Sequence, residues 1–271
     1  MVNDMVINRY NKTLDVLNPI GIIYQYSLDD FSWIKTIDLS EKVQSVHYFA
    51  AISPTDYVFY SLFDEPSMFS FSVLNESITP IDVPTPPEWL SPTSFCGGGS
   101  PFYFCNDILK YVLKYDGSIF GLDGSKMQID YRWDFGNRYF SPDMIEPQKD
   151  YFYYLELLNK TSRKYATTFN RTAENNRYVF QNFRFKGRVN WNTLFFDKTN
   201  NSVQVFSKTK EGVYIIAGKM SSGRMCFLVN PELRDFFVNE KVLQDKDSQN
   251  TYNQLRDDSN AILIIYTLKN E

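Results

Sequence analysis

The chain has 271 residues, 43% hydrophobic and 22% charged, which is apolar material enough for one large domain or two small ones and excludes intrinsic disorder. Its 23 Phe, 19 Tyr and 4 Trp bring the aromatic fraction to 17%, a composition that suits sheets because flat rings pack well on pleated surfaces. A net charge of −4 leaves no broad positive field to collect phosphates, so nucleic acid is not an expected partner, and no apolar run is long enough to span a bilayer as a helix.

In chain order, Met1-Val2-Asn3-Asp4 leads almost at once into a strand at Met5-Val6-Ile7, without the basic start and apolar core of a signal peptide. That abrupt entry reads as a missing beginning. Residues 4–16 then pair with 22–39, turning at Asn18-Pro19-Ile20-Gly21 and at Leu28-Asp29-Asp30, with Tyr24 and Tyr26 on one strand face. A second unit covers 46–83, where Phe69, Phe71 and Val73 alternate with Ser70 and Ser72 as a half-buried strand requires. The proline-rich run Pro84 to Pro92, with Trp89 inside it, removes too many backbone donors for a ladder and must be a loop between units.

A third unit contains strands at 101–106, 108–115, 119–122 and 127–135, with turns at Asp116-Gly117 and Asp123-Gly124. Residues 137–176 break the pattern; 151–158 is read as a short helix in preference to a buried strand. Strands resume at 177–185, 193–196, 202–206, 212–217 and 225–229. Asn230-Pro231-Glu232 has the acceptor, the proline and the acidic first turn of a helix start, followed by an apolar face of Leu233, Phe236 and Phe237. The polar run 245–260 reads as a mobile excursion before a last strand at 261–268.

One element recurs through these units. An apolar–Asp–apolar triplet closes a strand pair at Ile37-Asp38-Leu39, Ile81-Asp82-Val83 and Trp133-Asp134-Phe135, at intervals of 44 residues (38 to 82) and 52 (82 to 134). Such a period means one supersecondary unit per repeat, and a unit built of strands implies an all-β fold, a β-propeller with four-stranded antiparallel blades, here about five, with a short helical insertion near the C-terminus. The whole of 1–271 is expected to be one propeller domain, monomeric.

Three segments carry a family resemblance: Tyr131-Arg132-Trp133-Asp134-Phe135-Gly136, Leu194-Phe195-Phe196-Asp197-Lys198-Thr199, and the run Asp257 to Tyr266. With them the chain resembles the six-bladed β-propeller family of unknown function found in Bacteroides-type bacteria, itself related to propellers of the NHL type. Family members look longer at the N-terminus, with a lipoprotein signal and a first blade before the position matching Val2. The resemblance therefore implies a protein of the cell envelope, periplasmic or anchored to the outer membrane, with a signal and first blade not in this sequence.

The chemistry-bearing residues are sparse. A lone histidine, His47, excludes a multi-histidine metal centre, and no GxSxG turn provides a nucleophile for it, so it reads as structural. Cys96, Cys105 and Cys226 match no zinc or redox spacing; a Cys96–Cys105 bridge stays open beside the favoured reading of small buried hydrophobes. The glycines of Cys96-Gly97-Gly98-Gly99-Ser100 lack the lysine and helix of a phosphate loop. Asp38, Asp82 and Asp134 occupy equivalent positions in successive repeats and so are spread out rather than gathered, which suits a structural role. Arg171 to Arg188 interleaves cations with Tyr178, Phe180, Phe183 and Phe185 and reads as a solvated strand face.

The better candidates for binding are exposed loop aromatics and their neighbours, Trp89, Arg138 and Tyr139, because rigid rings give contact area at little entropy cost. No catalytic residue, metal or cofactor is assigned. The function expected is a non-catalytic binding or scaffolding propeller holding a glycan, a peptide or a protein. The alternative is a polysaccharide hydrolase or lyase using Asp143, Glu146 and Asp150.

Overall fold

Nineteen strands form among the described residues; in Thr13–Leu17 and Ile22–Ser27 burial alternates at every second residue, while Asp56–Tyr60, Ile108–Val112 and Tyr178–Arg184 are buried along almost their whole length. The computed structural model describes residues 2–61, 66–83, 100–113, 117–140, 156–157, 160–161, 163–186, 191–221 and 223–268. The first sheet is β1 (Asp4–Asn8), β2 (Thr13–Leu17), β3 (Ile22–Ser27) and β4 (Trp33–Asp38); the second is β5 (Tyr48–Ala51), β6 (Asp56–Tyr60), β7 (Met68–Ser72) and β8 (Ser77–Pro80). The third is β9 (Phe102–Cys105), β10 (Ile108–Val112), β11 (Ile119–Asp123) and β12 (Lys126–Tyr131). The fourth is β13 (Thr167–Glu174), β14 (Tyr178–Arg184), β15 (Trp191–Asp197) and β16 (Ser202–Phe206), and the fifth is β17 (Lys219–Ser221), β18 (Arg224–Val229) and β19 (Ile262–Thr267).

Every sheet is an antiparallel meander in chain order. This is an all-β propeller of five blades, four of them four-stranded and the last three-stranded among the described residues. The blades fall into two compact units, one holding residues 1–113 and 118–133, the other 114–117 and 134–271. The first three blades lie in the first unit and the last two in the second.

In the first unit, Leu17, Ile23 and Ile37 of the first blade close on Phe49, Tyr57, Phe59, Phe69 and Phe71 of the second. The rings stack, Phe49 with Phe59 at 6.1 Å and Phe59 with Phe69 at 5.4 Å between centroids. Full burial of each such side chain contributes about 1.5–3 kcal/mol from its apolar area, and the ring pairing adds to that. Tyr60 meets Tyr111 of the third blade at 5.8 Å, continuing the same mode of packing.

Polar groups also enter that first interface, and each finds partners. Asp15 is fully buried and accepts from the Thr13 hydroxyl at 2.6 Å, the Tyr57 hydroxyl at 2.8 Å and the Gln25 amide at 2.9 Å. The Asn8 amide donates to it at 3.2 Å. Burial first, then the neighbouring Asp15 carboxylate, pushes the Tyr57 phenol well above its ordinary range.

In the second unit, Ala173, Tyr178 and Phe180 of the fourth blade pack with Ala217 and Met225, while Phe227, Val229 and Ile264 form a further cluster with Phe237. Gly218 enters β17 so close to the Cys226 carbonyl that a β-carbon there would collide with it. The helical insertion is a 3-10 turn at Pro231–Leu233, then α1 (Arg234–Phe237) and α2 (Lys246–Gln254). Of the expected apolar face, Phe237 packs against Phe227 and the exposed Phe236 lies beside the Tyr214 ring, while Leu233 is exposed.

Two expectations are corrected here. The run 245–260 is not an excursion: Asp245 caps α2, accepting from the Ser248 backbone N–H at 2.7 Å, and the Tyr252 hydroxyl donates to Asp235 at 2.7 Å. Residues 212–217 form no strand, because side chains of the fourth blade satisfy their backbone: Asn182 accepts from Ala217 N–H at 2.6 Å, and Asn182 and Thr193 donate to the Ile215 carbonyl. Within 151–158, Glu156 and Leu157 are helical and the remainder lies outside the described residues.

Candidate functional site

A meander reverses direction at every strand, so its turns divide between two edges. The first-to-second and third-to-fourth turns leave at one edge of a blade; the second-to-third turns and the blade-to-blade connections leave at the other. At the first edge no turn is longer than residues 28–32. At the second edge the connections run as long as 81–101, 132–166 and 230–261. Long segments carried on a rigid scaffold are where binding groups collect.

The short edge is closed by its own side chains. Asn8 accepts from the N–H of Tyr10 and of Asn11, Ser53 from Thr55 and Asp56, and Asn175 from Arg177 and Tyr178. Asp197, within the Phe196-Asp197-Lys198-Thr199 turn, holds Arg177 at 3.1 Å and accepts from Thr199 N–H at 3.0 Å. Those bonds, with Arg177 first, bring its carboxyl down to about 2. Beside it Lys198 pairs with the buried Glu174 at 2.6 Å. This carboxylate and cation set is spent on holding the turn.

Of the residues put forward for binding, Arg138 and Tyr139 are described, and both lie in the connection that follows β12. Arg138 ends a 3-10 turn, Gly136–Arg138, that Asp134 fixes by accepting from Gly136 N–H at 2.7 Å. Gly136 has φ 56°, the left-handed region that glycine enters without strain. The Arg138 carbonyl then accepts from Ala166 N–H at 2.9 Å, anchoring the start of the long connection, and Tyr139 is half-buried in the same backbone bridge.

From that anchor the exposed Arg138 guanidinium lies 5.5 Å from the centre of the Phe185 ring, and the Lys186 ammonium lies 5.8 Å from the same ring. Arg184 sits 4.7 Å over Trp191, at the other end of the β14–β15 connection. Sequence reasoning treated Arg138 and the 171–188 stretch separately; the fold brings their ends together. Phe185, Lys186, Arg184 and Trp191 are the functional candidates it missed, and the basic and aromatic interleaving was the signal that pointed to them. Each of these cations lies over an aromatic face, a contact that limits the freedom of its side chain.

Trp89, Asp143, Glu146 and Asp150 lie outside the described residues. Cys96 does too; Cys105 is buried and Cys226 is a free thiol. In the first blade the long edge has an open depression of about 740 Å³ lined by Ile20 and by residues 40–44. Its Lys42 is paired with Glu76 at 3.1 Å. Among the described residues no three His, Cys, Asp or Glu side chains converge as metal ligands. Asp38 and Asp134 accept from turn amides, the structural role their repetition implied, and the backbone of Asp82 forms a bridge to Lys126.

No curated protein matches the sequence. Among solved structures, the chain is similar to a Bacteroides fragilis protein presented as a candidate exported protein, at 12% identity and a TM-score of 0.73, covering 99% of this chain and 78% of that one. It is also similar to the Neurospora crassa Pan2 WD40 domain, at 10% identity and a TM-score of 0.41, covering 75% of this chain and 50% of that one. The profile of the family described as "6-bladed beta-propeller" matches residues 1–219, and the chain belongs to that family.

Proposed function

We propose that this protein is a non-catalytic binding propeller of the bacterial cell envelope, which holds a glycan, peptide or protein bearing acidic groups at the long-connection edge of its blades. The observation that carries the reading is the convergence of Arg138 and Lys186 on the Phe185 ring, with Arg184 and Trp191 beside them. An anionic group recognised there gains a charge-assisted contact, and the aromatic rings keep the cations from losing much side-chain freedom on binding. The envelope location draws support from the exported description of the similar Bacteroides fragilis protein.

Arrays of acidic and neutral glycans and of acidic peptides, probed with the protein and with Arg138→Ala, test this. Expected is binding to acidic members that weakens about fivefold or more in the variant, the equivalent of roughly 1 kcal/mol. Binding that ignores ligand charge, or that is equal in Arg138→Ala, would remove the site from this role.

A further inference from the structure

Two cations share one ring at the proposed site. The Arg138 guanidinium lies 5.5 Å from the centre of the Phe185 ring and the Lys186 ammonium 5.8 Å from the same centre, both on exposed side chains. They come from different connections, Arg138 from the one that follows β12 and Lys186 from the one between β14 and β15. Among the described residues the Arg138 guanidinium has no hydrogen-bond acceptor and no carboxylate partner. Lys186 stands at φ 64°, a backbone conformation uncommon for a residue with a β-carbon. Outliers of that kind collect where a side chain has to be placed for a ligand.

The described carboxylates nearest to these cations in sequence are engaged elsewhere. Glu156 pairs with Lys160 at 2.7 Å, Glu174 with Lys198 at 2.6 Å and Asp197 with Arg177 at 3.1 Å, while Asp134 accepts from Gly136 N–H at 2.7 Å. No Asp or Glu lies in the sequence between Glu174 and Asp197. A ligand that meets both cations therefore has to bring two negative charges to one place. A carboxylate or a sulfate ester brings one, whereas a phosphate monoester carries about −1.5 to −2 near neutral pH on three acceptor oxygens. The arginine fork takes two of those oxygens side by side and leaves the third for the point charge of the lysine.

The carrier follows from the strands around the site. β14 and β15, which flank Phe185 and Lys186, are each hydrogen-bonded on both sides, so neither offers an edge to which an extended peptide could add. What stands beside the cations instead is the pair of half-buried rings Phe185 and Trp191, rigid apolar surfaces of the kind that pack against a sugar ring. We infer, on the footing of the function proposed above, that the acidic group bound here is a phosphate monoester and that a sugar carries it.

Glucose 6-phosphate, glucose 6-sulfate and glucuronate differ only in the acidic group at one carbon, and NMR titration of the protein with each reads even weak binding. Expected at about pH 7.5 is a lead of at least about tenfold for the phosphate over the other two. At about pH 5 the ester, with its second pKa near 6, carries little more than one charge, and its lead over the sulfate should shrink several-fold. That ratio cancels any titration of the protein itself. Lys186→Gln, which removes the second cation, should bring phosphate and sulfate to within about twofold of each other. Sulfate or glucuronate bound as tightly as the phosphate, or a lead unchanged by pH or by Lys186→Gln, overturns the inference and leaves the wider acidic-ligand reading standing. Inorganic phosphate or a phosphoserine peptide bound as tightly as glucose 6-phosphate overturns the sugar as carrier. If none of the three sugars binds, the inference falls, and the arrays decide the wider reading.

Discussion

The two faces of the first blade are made by the same four strands, one residue apart in register, and they have opposite fates. On one, Leu17, Ile23 and Ile37 are at most 7% exposed against the rings of the second blade, and Asp15 is buried with hydrogen-bond donors converging on it. On the other, Met5 and Ile7 stand in solvent. Strand propensity is therefore common to both faces and cannot be what separates them. Packing against a neighbouring blade is what turns an apolar row into stability.

The largest effect should come from emptying the packed face. Leu17→Ala removes a fully buried side chain from a close-packed cluster and should destabilise by about 2–5 kcal/mol, read as a lower urea midpoint at unchanged slope. A loss under about 1 kcal/mol would mean that the two blades do not depend on each other.

Next is the polar centre of the same face. Tyr57→Phe leaves Asp15 without its 2.8 Å hydroxyl donor and should cost about 1–3 kcal/mol near neutral pH. The pH dependence follows from the raised phenol. Its folded pKa lies above the unfolded value near 10, so its contribution is complete below about pH 10 and declines as the pH rises further, where the unfolded chain loses the proton first. Chemical denaturation at increasing alkaline pH should show that decline in the parent protein and a smaller one in Tyr57→Phe. Equal slopes would show that the phenol is not held protonated by this site.

What could be read from the sequence follows the same division between local and distant causes. Alternation along β3 or β7 is local, and the repeated apolar–Asp–apolar triplet marks equivalent strand ends, so strands, blades and the structural part of Asp38 and Asp134 were legible. The failures are of two kinds. Helix α2 has a local cap in Asp245 and Ser248 but no apolar stripe, so a reading based on periodicity took it for loop. Residues 212–217 look like a strand, yet their partners are the side chains of Asn182 and Thr193. At the candidate site, Arg138 was legible as a loop cation beside Tyr139. Its placement over Phe185 was not, because that contact exists only once the connection from the third blade and the β14–β15 connection meet.

The smallest effect is expected on the open face, where it sharpens the contrast most. In residues 1–271, Ile7→Thr keeps a β-branched strand former while removing apolar surface that is already 57% exposed, so stability should change by no more than about 0.5 kcal/mol. Binding of an apolar dye such as ANS should fall at the same time, because the row of Ile7, Leu14 and Tyr26 is then interrupted at its edge. Leu14→Ala, in the middle of that row, should likewise cost less than Leu17→Ala three residues away on the packed face. If the two leucines proved equally costly, the row would already be covered within these 271 residues, and the two faces would have to be regarded as equivalent interfaces.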